Sequence, residues 1–273
     1  MGDVAMVLQE RELLKDFMGE TARKKYGIAE TFTSWQGEGL YTGTRMHFIR
    51  FSGCSVGKKL ALEDKVRFAM ETDIESQRLG IPLTWNLKVY QEKCTLYDGR
   101  EFLCDTNFQT AKAMSVEDLL HEIPDGVAHV CLTGGEPLDR DLTPLLEWIA
   151  NTTLLHVHIE TSGTVSLFKS APTLSESDFI GRNDAGWVWL TLAPKFGVLP
   201  EMIQLASEIK LLVDEKFDPD KLPEGVVGHE LVWLQPVNYE NDLKKENLDR
   251  CLAILKEFPH WRLSMQAHKI WRV

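Results

Sequence analysis

The chain has 273 residues, 44% hydrophobic and 26% charged, a balance that excludes disorder and collagen-like repeats and fits one large domain or two small ones. With 41 Asp and Glu against 30 Lys and Arg the formal charge is -11, which argues against a nucleic-acid partner because a phosphate backbone is held by basic groups. No apolar run reaches the roughly 18 residues of a membrane span, the opening MGDVAMVLQERELLKDF is too charged for a secretory signal, and an odd set of five cysteines points to a reducing cytoplasm rather than a disulfide framework.

In chain order, residues 5–25 predict an amphipathic helix, with Val7, Leu14 and Phe17 or Met18 at helical spacing among charged residues. Strands are expected over 28–32 and 46–51, separated by Gln36-Gly37-Glu38-Gly39 and Gly43. The charged stretch from Cys54 to Cys104 predicts a helix over 60–77, a loop at Pro82 and a turn at Asp98-Gly99. From Met114 the pattern becomes regular. A short helix over 115–122 opens on Ser115 with Asp118 three residues on, as helix starts do. A strand over 127–132, a helix over 142–150, and strands over 154–159, 187–192, 208–213 and 230–234 follow. A helix over 244–258 and a strand over 262–265 close the pattern. Such alternation implies a mostly parallel α/β sheet, with chemistry at the carboxyl ends of its strands. The Gly, Thr, Glu and Pro residues of 133–137, 160–164 and 193–195 fall at those ends.

Cys54, Cys94 and Cys104 are spaced C-x39-C-x9-C. As loop thiols they are either zinc or iron–sulfur ligands or unrelated cysteines, and spacing alone does not choose. Cys131 and Cys251 sit in apolar surroundings and are expected to be buried packing thiols. Gly134-Gly135-Glu136-Pro137 would let a ligand approach the backbone, with Glu136 placed to receive an ammonium group, or it is a plain turn between strand and helix. His156 and His158 share one strand face and are expected to line the core rather than bind a metal.

Taken together, these residues resemble radical S-adenosylmethionine (SAM) enzymes, and more narrowly the 7-carboxy-7-deazaguanine synthases. The resemblance runs from about Ala29 to Val273. It is carried in order by Glu30-Thr31-Phe32 leading into Gln36-Gly37-Glu38-Gly39, by Phe48 through Cys54, and by Cys104-Asp105-Thr106. Thr133 through Pro137, Glu160 through Gly163, Ala193-Pro194-Lys195, Glu208-Ile209-Lys210, Leu234-Gln235-Pro236 and Trp261 through Lys269 complete it. The Gly-Gly-Glu-Pro piece belongs to the whole superfamily, and the other pieces together to the synthases.

The resemblance implies a partial (β/α) barrel over 26–273 with a long cluster loop over 54–106, and the amphipathic pattern ahead of it predicts an N-terminal helical extension over 1–25. It implies a carbon–nitrogen lyase that turns 6-carboxy-5,6,7,8-tetrahydropterin into 7-carboxy-7-deazaguanine, losing ammonia, in the queuosine and 7-deazapurine route. Cys54, Cys94 and Cys104 would ligate a [4Fe–4S] cluster whose fourth iron holds SAM. Its electron would release a 5′-deoxyadenosyl radical that takes a hydrogen from the pterin, so no residue is assigned as acid or base. Trp35, Gln36, Gly37, Glu38, Arg50, Thr133, His268 and Val273 would bind the pterin. Gly134, Gly135, Glu136, Ala193, Pro194, Lys195, Gln235, Pro236, Val237 and Asn238 would line SAM. Thr106 would be a Mg2+ ligand, a hard oxygen for a hard ion. An electron donor such as flavodoxin or ferredoxin and a homodimer are implied partners.

The chain departs from the family at four points. The compact C-x3-C-x2-C is absent, Ala193 stands where the family has serine, only four residues follow Lys269, and residues 1 to about 25 lie outside the resemblance. Two rival readings are a glycyl-radical activase of the same superfamily and a zinc-stabilised binding protein.

Overall fold

Strands alternating with short helices build a nine-stranded sheet in the computed structural model, which describes residues 19, 21–59, 92–104, 111–180, 186–238 and 244–271. The strands run, in chain order, β1 Lys25–Trp35, β2 Arg45–Phe51, β3 Lys58–Lys59, β4 Glu92–Thr95, β5 Glu101–Cys104 and β6 Lys112–Ser115. Then come β7 His129–Gly134, β8 His156–Thr161, β9 Val188–Leu192, β10 Glu208–Val213, β11 Val232–Pro236 and β12 Arg262–Leu263. The large sheet has the order β12-β11-β10-β9-β8-β7-β2-β1-β6. From β2 through β12 the pairs are parallel, while β1 runs antiparallel to both of its neighbours. The edge strands β6 and β12 do not pair with each other among the described residues, so the sheet is an open partial barrel, as expected. β3, β4 and β5 form a separate antiparallel sheet.

Helices α1 Val116–His121, α2 Thr143–Thr152, α3 Leu167–Ser170, α4 Pro200–Leu205, α5 Lys245–Glu257 and α6 Ala267–Trp271 fill the connections. α1 begins where the sequence places it, because Asp118 N donates to Ser115 Oγ and Ser115 N donates back to Asp118 Oδ2. Alternation along each strand sorts the side chains. Ile49, Leu132, Ile159, Leu190, Ile209 and Leu234 face outward into one core with Leu145 and Ile149 of α2 and Cys251 and Ile254 of α5. The opposite, concave face carries Arg50, Cys131, Thr133, His158, Glu160, Thr191 and Lys210. Cys131 and Cys251 are fully buried, as their surroundings suggest.

Three strands expected over 127–132, 154–159 and 230–234 end two residues later, at Gly134, Thr161 and Pro236. The polar residues there look like loop by composition. They stay in the ladder because a neighbour pairs with them, Thr133 with Arg50, Glu160 with Thr191 and Gln235 with Leu212. β1 outruns its expected 28–32 because it pairs with β6 over its first residues and with β2 over the rest. The last strand is shorter than expected, and the remaining elements agree within two residues. The Asp98-Gly99 turn is present, with Gly99 N donating to Leu96 O at 3.0 Å and a positive φ of 86°. The helix expected over 5–25 lies outside the described residues up to its last turn, and Lys25 already belongs to β1. The helix over 60–77, Pro82, Thr106 and Val273 also lie outside the described residues.

Candidate active site

The carboxyl ends of the strands surround a cavity of about 420 Å³. Its lining includes Trp35, Gln36, Gly37, Glu38, Arg50, Thr133 and His268 of the expected pterin residues. Gly134, Gly135, Glu136, Ala193, Lys195, Gln235, Val237 and Asn238 of the expected SAM residues line it too, as do all three of Cys54, Cys94 and Cys104. Pro194 and Pro236, also expected to line SAM, are not among the lining residues. Glu160, Thr161, Ser162, Thr191, Lys210 and Gln266, which were given no site role from sequence, also reach it.

The wide cysteine spacing has a local explanation. β4 and β5 form a hairpin in which Glu92 pairs with Cys104 and Cys94 with Phe102. Cys94 and Cys104 therefore point to the same face from diagonal positions, about 7–8 Å apart by sheet geometry. Nine residues folded back by a turn bring two thiols to one wall, as two residues do in a tight loop. Cys54 follows β2 directly, and Gly57 N donates to its Sγ at 3.2 Å. Burial pushes the Cys54 thiol up. Among the described residues no three His, Cys, Asp or Glu side chains converge closely enough to hold one metal ion. In a polynuclear cluster each thiolate meets a different iron, and three thiols on one cavity fit such a group.

Both glycines of the Gly-Gly pair are required by packing. A Cβ on Gly135 would lie 1.7 Å from Gly53 O, and one on Gly134 would lie 2.5 Å from Phe51 N. The end of β7 thus rests directly on the chain that leads into Cys54, and Gly135 N donates to Phe51 O at 2.9 Å. Glu136 is 2% exposed. Its carboxylate accepts from Leu138 N, Thr161 Oγ1, Ser162 N and the Ser162 hydroxyl. Those four donors fill its acceptor capacity, so Glu136 braces β7 against β8. Elsewhere in the lining, Gln235 Oε1 and Asn238 Oδ1 are buried with no partner among the described residues. Buried acceptors in that state suit a ligand that brings its own donors.

Part of the lining is ionic. Lys210 Nζ lies 2.6 Å from Glu38 Oε2 and 3.2 Å from Glu160 Oε1. Glu38 Oε1 also accepts from Gln235 Nε2 at 3.1 Å and Gln266 Nε2 at 2.9 Å. Glu160 accepts from Thr133 Oγ1 at 2.8 Å and Gln36 Nε2 at 3.3 Å. Burial would raise the Glu38 carboxyl, but the Lys210 ammonium outweighs it and brings the group down to about 2. The loop after β1 is held from two sides. Leu40 N donates to Glu208 Oε2 at 2.9 Å, and Ala267 N of α6 donates to Gly37 O at 2.9 Å. A Cβ on Gly37 would strike the His268 ring. Arg50 Nε pairs with Glu30 at 3.1 Å, and its guanidinium lies over the Phe32 ring. The signal for Lys210 was present in sequence as two charges, Glu208 and Lys210, at alternate positions of an otherwise apolar strand.

His156 and His158 do not join this cavity. They lie toward the amino end of β8, where His158 Nε2 and His129 Nδ1 are 3.0 Å apart and His129 stacks on His156. Tyr41 packs edge-on against His158. Burial and the two flanking imidazoles push His158 down to about 3. Core lining, the expected role, describes them.

No family model matches the chain. It is 30% identical over 261 residues to a 7-carboxy-7-deazaguanine synthase from Escherichia coli, covering 90% of this chain and 97% of that one. It is 28% identical over 256 residues to a synthase of the same name from Synechocystis, covering 92% and 95%. Among solved structures, the crystal structure of QueE from Escherichia coli superposes with a TM-score of 0.58 at 26% identity, covering 91% of this chain and 96% of that one.

Proposed function

The chain belongs to the 7-carboxy-7-deazaguanine synthase family, and from that premise we propose how its cavity divides between cofactor and substrate. The protein is a radical SAM lyase that converts 6-carboxy-5,6,7,8-tetrahydropterin to 7-carboxy-7-deazaguanine with loss of ammonia. Bound together, a reduced [4Fe–4S] cluster and SAM supply the 5′-deoxyadenosyl radical that takes a hydrogen atom from the pterin.

Cys54, Cys94 and Cys104 hold the cluster on the wall formed by the hairpin. The backbone of Gly134 and Gly135, braced by Glu136, receives the amino-acid end of SAM. Ala193 and Lys195 flank it, and Gln235 and Asn238 offer acceptors to its other polar groups. Pro194, Pro236 and Val237 shape this wall. The pterin lies against the ionic wall. Arg50 offers its carboxylate a planar fork of donors, Glu38, Gln36 and Thr133 meet ring donors and acceptors, and Gly37 with His268 and Trp35 closes the site from water. Thr106 supplies a hydroxyl oxygen to Mg2+. The protein works as a cytoplasmic homodimer reduced by a flavodoxin- or ferredoxin-like donor. Among the described residues no helix is long and apolar enough to cross a membrane.

The observation that carries this division is the gathering of three thiols, a Gly-Gly strand end, buried acceptors and a buried ion network around one cavity. The test is anaerobic purification with iron and sulfide analysis, then incubation with SAM, a chemical reductant and the pterin. The expected result is brown protein that forms 7-carboxy-7-deazaguanine and 5′-deoxyadenosine. Zinc in place of iron, or SAM cleavage with no deazaguanine product, would sink the reading.

A further inference from the structure

The side chain of Lys210 is 9% exposed, and its ammonium is shared by two carboxylates that face the cavity from different elements. Glu38 comes from the loop after β1 and Glu160 from the end of β8. Other charged and titratable groups facing the cluster are Glu208 on the same strand as Lys210, Arg50 on β2, His268 on α6 and the buried Cys131 thiol on β7. Two carboxylates held this near to one another do not both stay ionised without a cation between them, because the pair would share a proton. The neutral donors on each carboxylate fix its orientation but bring no positive charge.

We propose that Lys210 is a positioning residue that keeps Glu38 and Glu160 both ionised, so that the pterin meets two fixed carboxylate acceptors. Lys210 acts through those groups, with its own donors turned to them. The inference rests on the assignment of this cavity to the pterin. Opposed shifts accompany the geometry. Burial works against the Lys210 charge, yet Glu160 and Glu38 raise it above the ordinary lysine range, while Glu38 is held low.

The experiment compares wild type, Lys210→Met, Lys210→Arg and the double variant Lys210→Met/Glu38→Gln as cluster-replete enzymes. In Lys210→Met one carboxyl takes up a proton at neutral pH. Its KM for the pterin should rise roughly tenfold or more, one lost charge-assisted contact, and recover as pH rises and the carboxyl ionises again. SAM binding without pterin should stay unchanged. Lys210→Arg should keep the wild-type pH profile. The double variant should bind weakly but lose the added pH dependence, since only one carboxylate remains. Infrared spectra of the ligand-free proteins give a second readout. A protonated-carboxyl band should appear in Lys210→Met and be absent from wild type and the double variant. Failure of wild type to consume the pterin would overturn the assigned function, while the infrared band would still decide the ionisation. A Lys210→Met enzyme with no band and a wild-type pH profile would overturn the inference, as would a double variant that keeps the added dependence.

Discussion

The two ends of the concave face are built from the same strands and handle buried polar groups in opposite ways. At the carboxyl end Glu38, Glu160 and Lys210 stay charged because each carboxylate has the ammonium beside it. At the amino end His129 stacks on His156 and hydrogen-bonds to His158, and burial drives His158 far below its ordinary range. Two residues along β8 separate His158 from Glu160, so one strand carries both solutions. Buried charge is retained where a small polar ligand must be held. Neutral pairing suffices where the strands only need filling. The ion network would be an expensive way to hold a core together, and its place at the cavity is a functional feature.

The sharpest way to break the comparison is to remove thiols from each end. Cys54→Ala, Cys94→Ala and Cys104→Ala should each abolish the cluster and all turnover, because the site has three thiolates for three irons. Cys131→Ala, in register with His158 at the amino end, should keep iron, sulfide and the visible spectrum. Iron retained in Cys94→Ala and lost in Cys131→Ala would place the cluster elsewhere.

Glu136→Ala should follow in size. It strands Leu138 N, Ser162 N and two hydroxyls in a buried site, and each stranded donor costs about 1–3 kcal/mol. The melting temperature should fall, and SAM should bind weakly and be cleaved slowly even with no pterin present. Stability and SAM affinity equal to wild type would remove the brace from the cofactor wall.

How much of this was legible in the chain can be followed along single elements. The positions of the parallel strands followed from strand–loop–helix alternation, and the Gly, Thr and Glu residues at strand ends marked the cavity. Those same polar residues made three strands look two residues too short, since composition does not show that a neighbouring strand will pair with them. The hairpin that brings Cys94 to Cys104 was illegible for a related reason. Strands of four residues leave little alternation to read, and their pairing depends on the Asp98-Gly99 turn closing in the right register. Lys210 was visible as a matching residue and not as a site residue, because its partners lie 172 and 50 positions away. The full use of Glu136 by Thr161 and Ser162 depends on β7 and β8 being neighbours, which a motif does not state.

Arg50→Ala separates the two ligands within the carboxyl end. A charge-assisted hydrogen bond contributes on the order of 1.5–3 kcal/mol, so pterin binding should weaken roughly ten- to a hundredfold. SAM binding and uncoupled SAM cleavage should persist. Titrating both ligands anaerobically checks this, and a variant that loses SAM and keeps the pterin would exchange the two walls.

The smallest effect belongs to the amino end and appears in stability against pH. His158 is 2% exposed and is pushed from an ordinary 6.5 to about 3 by burial and by His129 and His156. Burial also lowers His129 and His47. A histidine with a depressed folded value binds its proton more readily when unfolded. The unfolded state therefore gains protons as pH falls below 6.5, and folding weakens by up to about 1.4 kcal/mol per pH unit for such a group. Glu38 has the opposite sense of charge and a lower window. Its stabilising ionisation is complete above 4.5 and is lost toward 2, so it contributes little between about pH 5 and 6.5. Denaturation midpoints measured across that interval should fall with pH in wild type and fall less steeply in His158→Gln. The variant should start about 1 kcal/mol less stable near neutrality, for the bond to His129 that it weakens, and the two curves should approach each other as acid is added. Parallel curves would mean that His158 is protonated in the folded protein, and the amino end of the sheet would then hold a charge as the carboxyl end does.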